Sequence, residues 1–218
     1  MLTKQQIQAA VAVMSKMFPD AQPSLDARTP FQYMISVMLS AQATDISVNK
    51  VTPQLFKDYP DPQTMAAASE VALQADIHSI GLYRNKAKHM KAASEALLRD
   101  FNGVVPHTRN ELMRLPGVGR KTADVVLADA FGIPAFAVDT HVTRVTKRLR
   151  MVPQKATVLE IEQRMMQMMP EAQWVATHHT MIYFGRYQCL ARAPKCEQCP
   201  LLDICAEGQQ RLGLKQAN

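Results

Sequence analysis

Four cysteines near the C-terminal end constrain the fold of this 218-residue chain more than any other feature. They lie within seventeen residues, no cysteine precedes them, and their spacing is C-x6-C-x2-C-x5-C: Cys189, Cys196, Cys199 and Cys205. Four thiolates on one short segment suit a tetrahedral zinc ion or the corners of an iron–sulfur cluster. Zinc sites more often pair two C-x2-C units, and this segment has only one, so the spacing favours a cluster. We expect the bound metal to order a segment that has few residues for a core.

The rest of the sequence predicts a soluble globular protein. With 47% apolar and 20% charged residues, the composition excludes fibrous and fully disordered chains. The most apolar region, residues 123–138, contains Asp124, Asp129 and Pro134, so no membrane span is expected. The N-terminus lacks the basic and apolar regions of a secretory signal, so we expect a reducing, intracellular compartment.

Helical periodicity dominates the sequence, and alternating strand patterns are scarce. Thr3 with Gln6 forms a capping box before one apolar stripe, and Thr29 with Pro30 opens another. Further helices are predicted over residues 45–56, 62–68, 70–79, 84–101, 108–114, 120–131, 140–149, 157–169 and 171–184. The predicted fold class is therefore all-α with short connections.

Positive charge is concentrated in the later part of the chain. Residues 1–83 hold five Lys/Arg against seven Asp/Glu, whereas residues 84–218 hold twenty against twelve. Two runs, 84–91 and 141–155, are basic without any acidic residue. Because Lys and Arg bind phosphates with release of counterions, we expect a polyanionic partner.

Residues 115–123, LPGVGRKTA, form the most informative local motif, since they separate two predicted helices. Gly117 and Gly119 allow a tight hairpin and a close approach by another molecule. The helix that begins at Arg120 presents unpaired amides and the positive end of its dipole, which favours a phosphate. The pattern predicts a helix-hairpin-helix that binds the DNA backbone.

Lys121 lies in the first turn after this hairpin, and VDTHVTR follows at residues 138–144. A lysine is a nucleophile only when its amine is neutral, and a positive helix terminus favours the neutral form. Lys121 could equally contact a phosphate. Asp139 is predicted to cap the helix that follows, and it could also serve chemistry. His141 is a candidate phosphate contact or a packing residue.

Taken together, these motifs resemble the endonuclease III family of bifunctional DNA glycosylases and abasic-site lyases. LSAQATD at residues 39–45 and IGLY at 80–83 are similar to two further stretches of that family, so the resemblance covers nearly the whole chain. It implies a six-helix domain at 22–133 and an iron–sulfur domain built from 1–21 and 134–218, with a DNA cleft between them. It also implies a [4Fe-4S] cluster, double-stranded DNA as the partner, and a monomer in the cytoplasm, associated with the nucleoid.

The resemblance also assigns roles to individual residues. It implies that Lys121 is the Schiff-base nucleophile, Asp139 the catalytic carboxylate, and the four cysteines the cluster ligands. Gln42 and Leu82 would enter the duplex at the lesion, although without the resemblance they read as a helix-end glutamine and a core leucine. The remaining expected DNA contacts are Gly117, Gly119, Arg120, His141 and Arg144.

The implied activity is removal of oxidised pyrimidines, followed by strand cleavage through β-elimination. The sequence is also compatible with three other functions: a non-catalytic helix-hairpin-helix DNA-binding protein, a monofunctional mismatch adenine glycosylase, and a small electron carrier. Lys121 argues against the adenine glycosylase, because those enzymes lack a lysine at the hairpin. After Tyr83 the chain has Arg84, where the family pattern has an uncharged residue, which adds charge near the expected wedge.

Overall fold

The computed structural model describes residues 1–214; the last four residues of the predicted iron–sulfur domain lie outside the described residues. The described chain contains helices and connections without any strand. The helices are α1 (Lys4–Met17), α2 (Pro30–Leu39), α3 (Asp45–Asp58), α4 (Pro62–Ala67), α5 (Glu70–Asp76), α6 (Tyr83–Phe101), α7 (Arg109–Leu112), α8 (Arg120–Phe131), α9 (Thr140–Arg148), α10 (Val158–Met168), α11 (Trp174–Tyr187) and α12 (Ala206–Arg211). They form two compact units, one of residues 24–133 and one of residues 1–23 with 134–218.

The unit of residues 24–133 is built around α2. Nine of its ten residues, from Phe31 to Leu39, are buried, so α2 is enclosed on all sides rather than on the single face that its apolar stripe predicts. Helices α6 and α8 both contact it. Seven helical segments, α2 to α8, make up the unit, and α7 among them has only four residues.

The second unit brings α1 together with helices from the later part of the chain. Apolar residues of α1 pack in one core with residues of α9, α10 and α11. The Leu2 amide donates to the Arg150 carbonyl (3.0 Å), and Gln8 donates to the Met168 carbonyl (2.9 Å). Met14, Met151 and several other methionines are fully buried, as expected for flexible side chains that fill gaps in a core.

Local sequence determines most helix starts. Both parts of the predicted capping box at Thr3 and Gln6 form, and Thr29 caps α2 with Pro30 in its first turn. The prediction missed α12, whose N-cap is Cys205: its thiol accepts from the Gly208 amide (3.3 Å). Along residues 1–214, no helix is both long and apolar enough to cross a membrane.

Two lysines of the basic run 84–91 bind carbonyls within the unit. Lys86 is buried and donates to the carbonyl of Leu39 at the end of α2 (2.9 Å). Lys91 donates to the carbonyls of Ala66 and Ala68 at the end of α4. Both lysines therefore satisfy carbonyls that a helix terminus leaves without intrahelical partners.

Candidate functional site

The hairpin between α7 and α8 is a tight turn over residues 115–118. The Val118 amide donates to the Leu115 carbonyl (3.0 Å), Pro116 occupies the second position, and Gly117 has φ = +79°. This combination is that of a type II turn, whose third position requires a positive φ. A Cβ at Gly117 would lie 2.8 Å from Cβ of His89, so this glycine is also required for packing.

An ion pair connects α7 and α8, the two helices that flank the hairpin. Arg109 of α7 donates through Nε to the carboxylate of Asp124 in α8, and that carboxylate is almost completely buried. A buried charge is tolerated when it is paired and hydrogen-bonded. The pair thus connects α7 to α8.

At the start of α8, the hairpin leaves space for another molecule. Gly119 is the N-cap, it provides no side-chain cap, and nothing lies within 4 Å of where its Cβ would be. The side chain of Lys121 is exposed in the first turn, next to the half-buried Arg120. This arrangement suits a phosphate at the helix terminus, with an amine beside it.

Gln42 and Leu82 share an uncommon backbone conformation. Both have a positive φ, 56° and 61°, although neither is glycine. Gln42 is exposed, and Leu82 is 55% exposed rather than in the core. A Cβ added to Gly81 would lie 3.9 Å from the Gln42 carbonyl oxygen. The segments that contain Gln42 and Leu82 are therefore neighbours. Strained, exposed, neighbouring residues of this kind are typical of functional positions.

Asp139 is the N-cap of α9, as its position in the sequence predicts. Its Oδ1 accepts from the Val142 amide (2.8 Å), and the residue is half-buried. The preceding segment, Ala135–Val138, is buried, so the carboxylate follows a fixed stretch of chain.

His141 and Arg144 pack against α11 at Gly185, where a Cβ would lie 2.8 Å from Cβ of His141. Arg144 donates to the carbonyls of Gly185 (2.8 Å) and Cys189 (3.0 Å) and to Nδ1 of His141 (3.0 Å). Burial lowers the pKa of His141, and the nearby Arg144 and Arg186 lower it further, against the opposite effect of Asp139. The structure thus gives Arg144 a role in joining two helices; its contact with DNA stays a prediction.

The four cysteines line one cavity in the unit that contains α1 and α9 to α12. Within residues 1–214, no three Cys, His, Asp or Glu side chains converge closely enough to hold a single metal ion. Four thiols that line one cavity are the set of donors that an iron–sulfur cluster requires.

The electrostatics of the cavity also fit a cationic cofactor. Burial raises the pKa of Cys196, Cys199 and Cys205, and the neighbouring thiols, Cys189 among them, raise it further. A metal ligand must be a thiolate, and iron would supply positive charge that favours this deprotonated form. The cysteines are therefore the residues that would hold the cluster.

Two family models match the chain. The model of HhH-GPD superfamily base excision DNA repair proteins matches residues 35–171, and that of the iron–sulfur binding domain of endonuclease III matches residues 189–205. Endonuclease III of Bacillus subtilis (strain 168) is 50% identical over 97% of this chain and 96% of its own length. The chain belongs to the endonuclease III family.

Other members agree in sequence and in structure. Endonuclease III of Escherichia coli (strain K12) is 43% identical over 86% of this chain and 88% of its own length. The solved structure of a trapped endonuclease III–DNA covalent intermediate, an estranged-adenine complex, has a TM-score of 0.95 and 53% identity, covering 97% of this chain and 100% of that chain.

Membership of the endonuclease III family confirms several predictions. The all-α class, the [4Fe-4S] cofactor and the class of enzyme, a DNA glycosylase and abasic-site lyase that acts on duplex DNA, are as the resemblance implied. The roles of individual residues stay predictions. Sequence reasoning missed Arg148, which donates to Cys189 Sγ (3.4 Å); its i,i+4 spacing from Arg144 on α9 was the available signal.

Proposed function

We propose that this chain removes oxidised pyrimidines from duplex DNA and then cleaves the strand at the abasic site through an imine formed on Lys121. The observation that carries the proposal is the exposed Lys121 side chain in the first turn of α8, beside the open N-cap at Gly119. Because the substrate is the cell's own DNA, we propose a cytoplasmic, nucleoid-associated location.

A base inside a duplex is not accessible to a lysine, so the target nucleotide must leave the stack. Extrusion costs a few kcal/mol and least for a poorly stacked base, which favours pyrimidines whose ring has lost planarity by oxidation. We assign Gln42 and Leu82 to the duplex at the lesion, where one fills the space that the nucleotide leaves and the other wedges the opposite strand. Their exposure and fixed left-handed backbone support this assignment.

The hairpin would hold the DNA backbone near the extruded nucleotide. Gly117 shapes the turn, Gly119 leaves room for a phosphate, and Arg120 adds positive charge. Phosphate contacts of this kind position DNA without reading its sequence. His141 and Arg144 are further candidate contacts from α9.

The neutral amine of Lys121 then attacks C1′ of the deoxyribose. The bond from C1′ to the base breaks, and the base leaves with its bonding electron pair. Opening of the sugar gives an imine, which acidifies C2′. Loss of a proton from C2′ expels the 3′ phosphate by β-elimination, so one residue accounts for both base removal and strand cleavage.

We assign Asp139 the role of stabilising the positive charge that develops on the sugar. A carboxylate stabilises such a charge electrostatically, and it can accept the proton that the lysine must lose. Its bond to the Val142 amide orients the carboxylate from one side. The iron–sulfur cluster supplies structural order when it is bound, and exposed Arg192 and Lys195 of that segment are further candidates for phosphate contacts.

Borohydride trapping tests the assignment of Lys121. Borohydride reduces an imine to a stable amine, so duplexes with one oxidised pyrimidine or one abasic site should give a covalent protein–DNA adduct with the natural chain. Lys121→Gln should give none, while Lys57→Gln, at an exposed lysine of the same unit, should give the full yield. The yield is read on denaturing gels, and the modified residue by mass spectrometry.

Unchanged trapping in Lys121→Gln would place the nucleophile on another amine. Base release without trapping in the natural chain would favour the monofunctional glycosylase. Binding of damaged duplexes without base release or adduct would favour the non-catalytic DNA-binding protein.

A further inference from the structure

We infer that Arg148 is a positioning residue for the iron–sulfur segment, and that it raises the reduction potential of the cluster through its bond to the sulfur of Cys189. The inference concerns the cofactor and does not depend on the proposed roles of Lys121 and Asp139. It rests on the bonds that Arg148 makes within the unit that holds the four cysteines.

The guanidinium of Arg148 reaches the start of the cysteine segment from α9. Nη1 donates to Sγ of Cys189 (3.4 Å) and to the carbonyl of Leu190 (2.7 Å), and Nη2 donates to the carbonyl of Ala191 (3.1 Å). The planar fork of an arginine can make these bonds together, whereas a lysine offers a single point of charge.

The same side chain also reaches the end of the segment. Nε of Arg148 lies 3.0 Å from the carboxylate of Glu207, which follows the last cysteine by two residues, and the arginine side chain is only 11% exposed. Arg211 of α12 pairs with Glu207 from the outside and is 46% exposed. Arg148 therefore connects the first and last parts of the segment through a largely desolvated guanidinium.

A cationic donor on a ligand sulfur affects the two redox states unequally. The reduced cluster carries one more negative charge than the oxidised cluster, so a nearby positive charge and a hydrogen bond to sulfur stabilise it more. The half-reaction is the transfer of one electron from an electrode, with no bond broken. Arg148 thus favours the reduced state, and Glu207 opposes it.

Three variants of the full-length, cluster-loaded protein, free of DNA, separate these contributions. In Arg148→Gln, the ratio of reduced to oxidised cluster at a fixed electrode potential should fall about tenfold, which is about 59 mV for one electron. In Glu207→Gln, it should rise by about threefold, because the opposing charge is removed. In Arg211→Gln, which is more exposed and screened by solvent, it should change by less than about twofold.

The ratio is measured by spectroelectrochemistry and expressed per loaded cluster, with iron content as the check on loading. A purely structural role for Arg148 would lower the loading and leave the ratio unchanged, and that result overturns the inference. Equal falls in Arg148→Gln and Arg211→Gln would overturn it too, since the sulfur contact would then add nothing. Should Arg148→Gln fail to load, a ratio in Glu207→Gln that is unchanged or lower contradicts the inference by itself.

Discussion

Lys121 and Lys86 belong to the same compact unit, and their surroundings are opposite. Lys121 is exposed at the N-terminus of α8, whereas Lys86 is buried and bonded to the carbonyl of Leu39 at the C-terminus of α2. The glycines of the hairpin differ in the same way: Gly117 faces His89, and Gly119 faces open space. Residues of the same type thus divide into those that hold the unit together and those available to a ligand.

Asp139 belongs to both groups, because it caps α9 and is also proposed to act on the sugar of the substrate. Asparagine caps a helix as well as aspartate does, so Asp139→Asn should change the free energy of unfolding by less than about 0.5 kcal/mol. The single-turnover rate of base release should fall by about 10²- to 10⁴-fold, since the charge near the sugar is lost. Rates are measured with enzyme in excess, and DNA affinity by fluorescence anisotropy. Parallel losses of rate and stability would leave Asp139 with only the capping role.

The two glycines of the hairpin provide the next test. Gly117→Ala should destabilise the fold by about 2–4 kcal/mol, because an alanine is strained at positive φ and its Cβ would clash with His89. Gly119→Ala should cost less than about 1 kcal/mol, since space is open there and only the cap is altered. Melting temperatures compare the two variants.

Measurements of DNA affinity test the role of Gly119 separately from its effect on stability. The added methyl of Gly119→Ala occupies the proposed phosphate position, so we expect weaker binding of abasic-site duplexes by a protein that melts almost normally. If Gly119→Ala binds with unchanged affinity, the phosphate does not approach at this point of the hairpin.

Local signals were sufficient for the features that depend on neighbours in sequence. Thr29 with Pro30 and Asp139 are caps in the structure, as the sequence predicts, because the bonds they make lie within three residues. Lys86 bonds a carbonyl 47 residues away, and no local pattern reveals that partner. For the same reason Leu82 reads as a core residue: apolarity predicts burial, while its exposure depends on how the turn and α6 are placed.

A third prediction concerns Lys86, the buried lysine of α6. Lys86→Met keeps the length of the side chain but leaves the Leu39 carbonyl without its donor, which should cost about 1–2 kcal/mol of stability. Removal of the buried charge offsets part of this cost, since burial already lowers the pKa of Lys86. Lys88→Met, at an exposed position of the same helix, is the control and should stay within about 0.5 kcal/mol. Equal stability of the two variants would show that the bond to Leu39 contributes nothing net.

The smallest expected effect depends on pH and involves Tyr33, a buried residue of α2. Tyr33 donates to Oδ2 of Asp129 in α8 (2.7 Å), and burial, with the charge of Asp129, raises the pKa of Tyr33 far above its usual value. An unfolded tyrosine ionises near pH 10, so above about pH 10 the unfolded chain loses a proton that the folded chain keeps. The contribution of Tyr33 to stability is therefore complete below about pH 10 and decreases as the pH rises further.

Tyr33→Phe isolates this contribution, because every other titrating group is common to both proteins. Near pH 8 the natural chain should be the more stable by about 1 kcal/mol, the usual net value of one hydrogen bond. Between about pH 10 and 11 the difference should shrink by roughly 1 kcal/mol, as ionisation of the unfolded tyrosine favours unfolding of the natural chain alone. Melting temperatures at each pH measure the difference. A difference that stays constant with pH would mean that Tyr33 ionises as readily in the folded unit as in the unfolded chain, and that the contact between α2 and α8 is open to water.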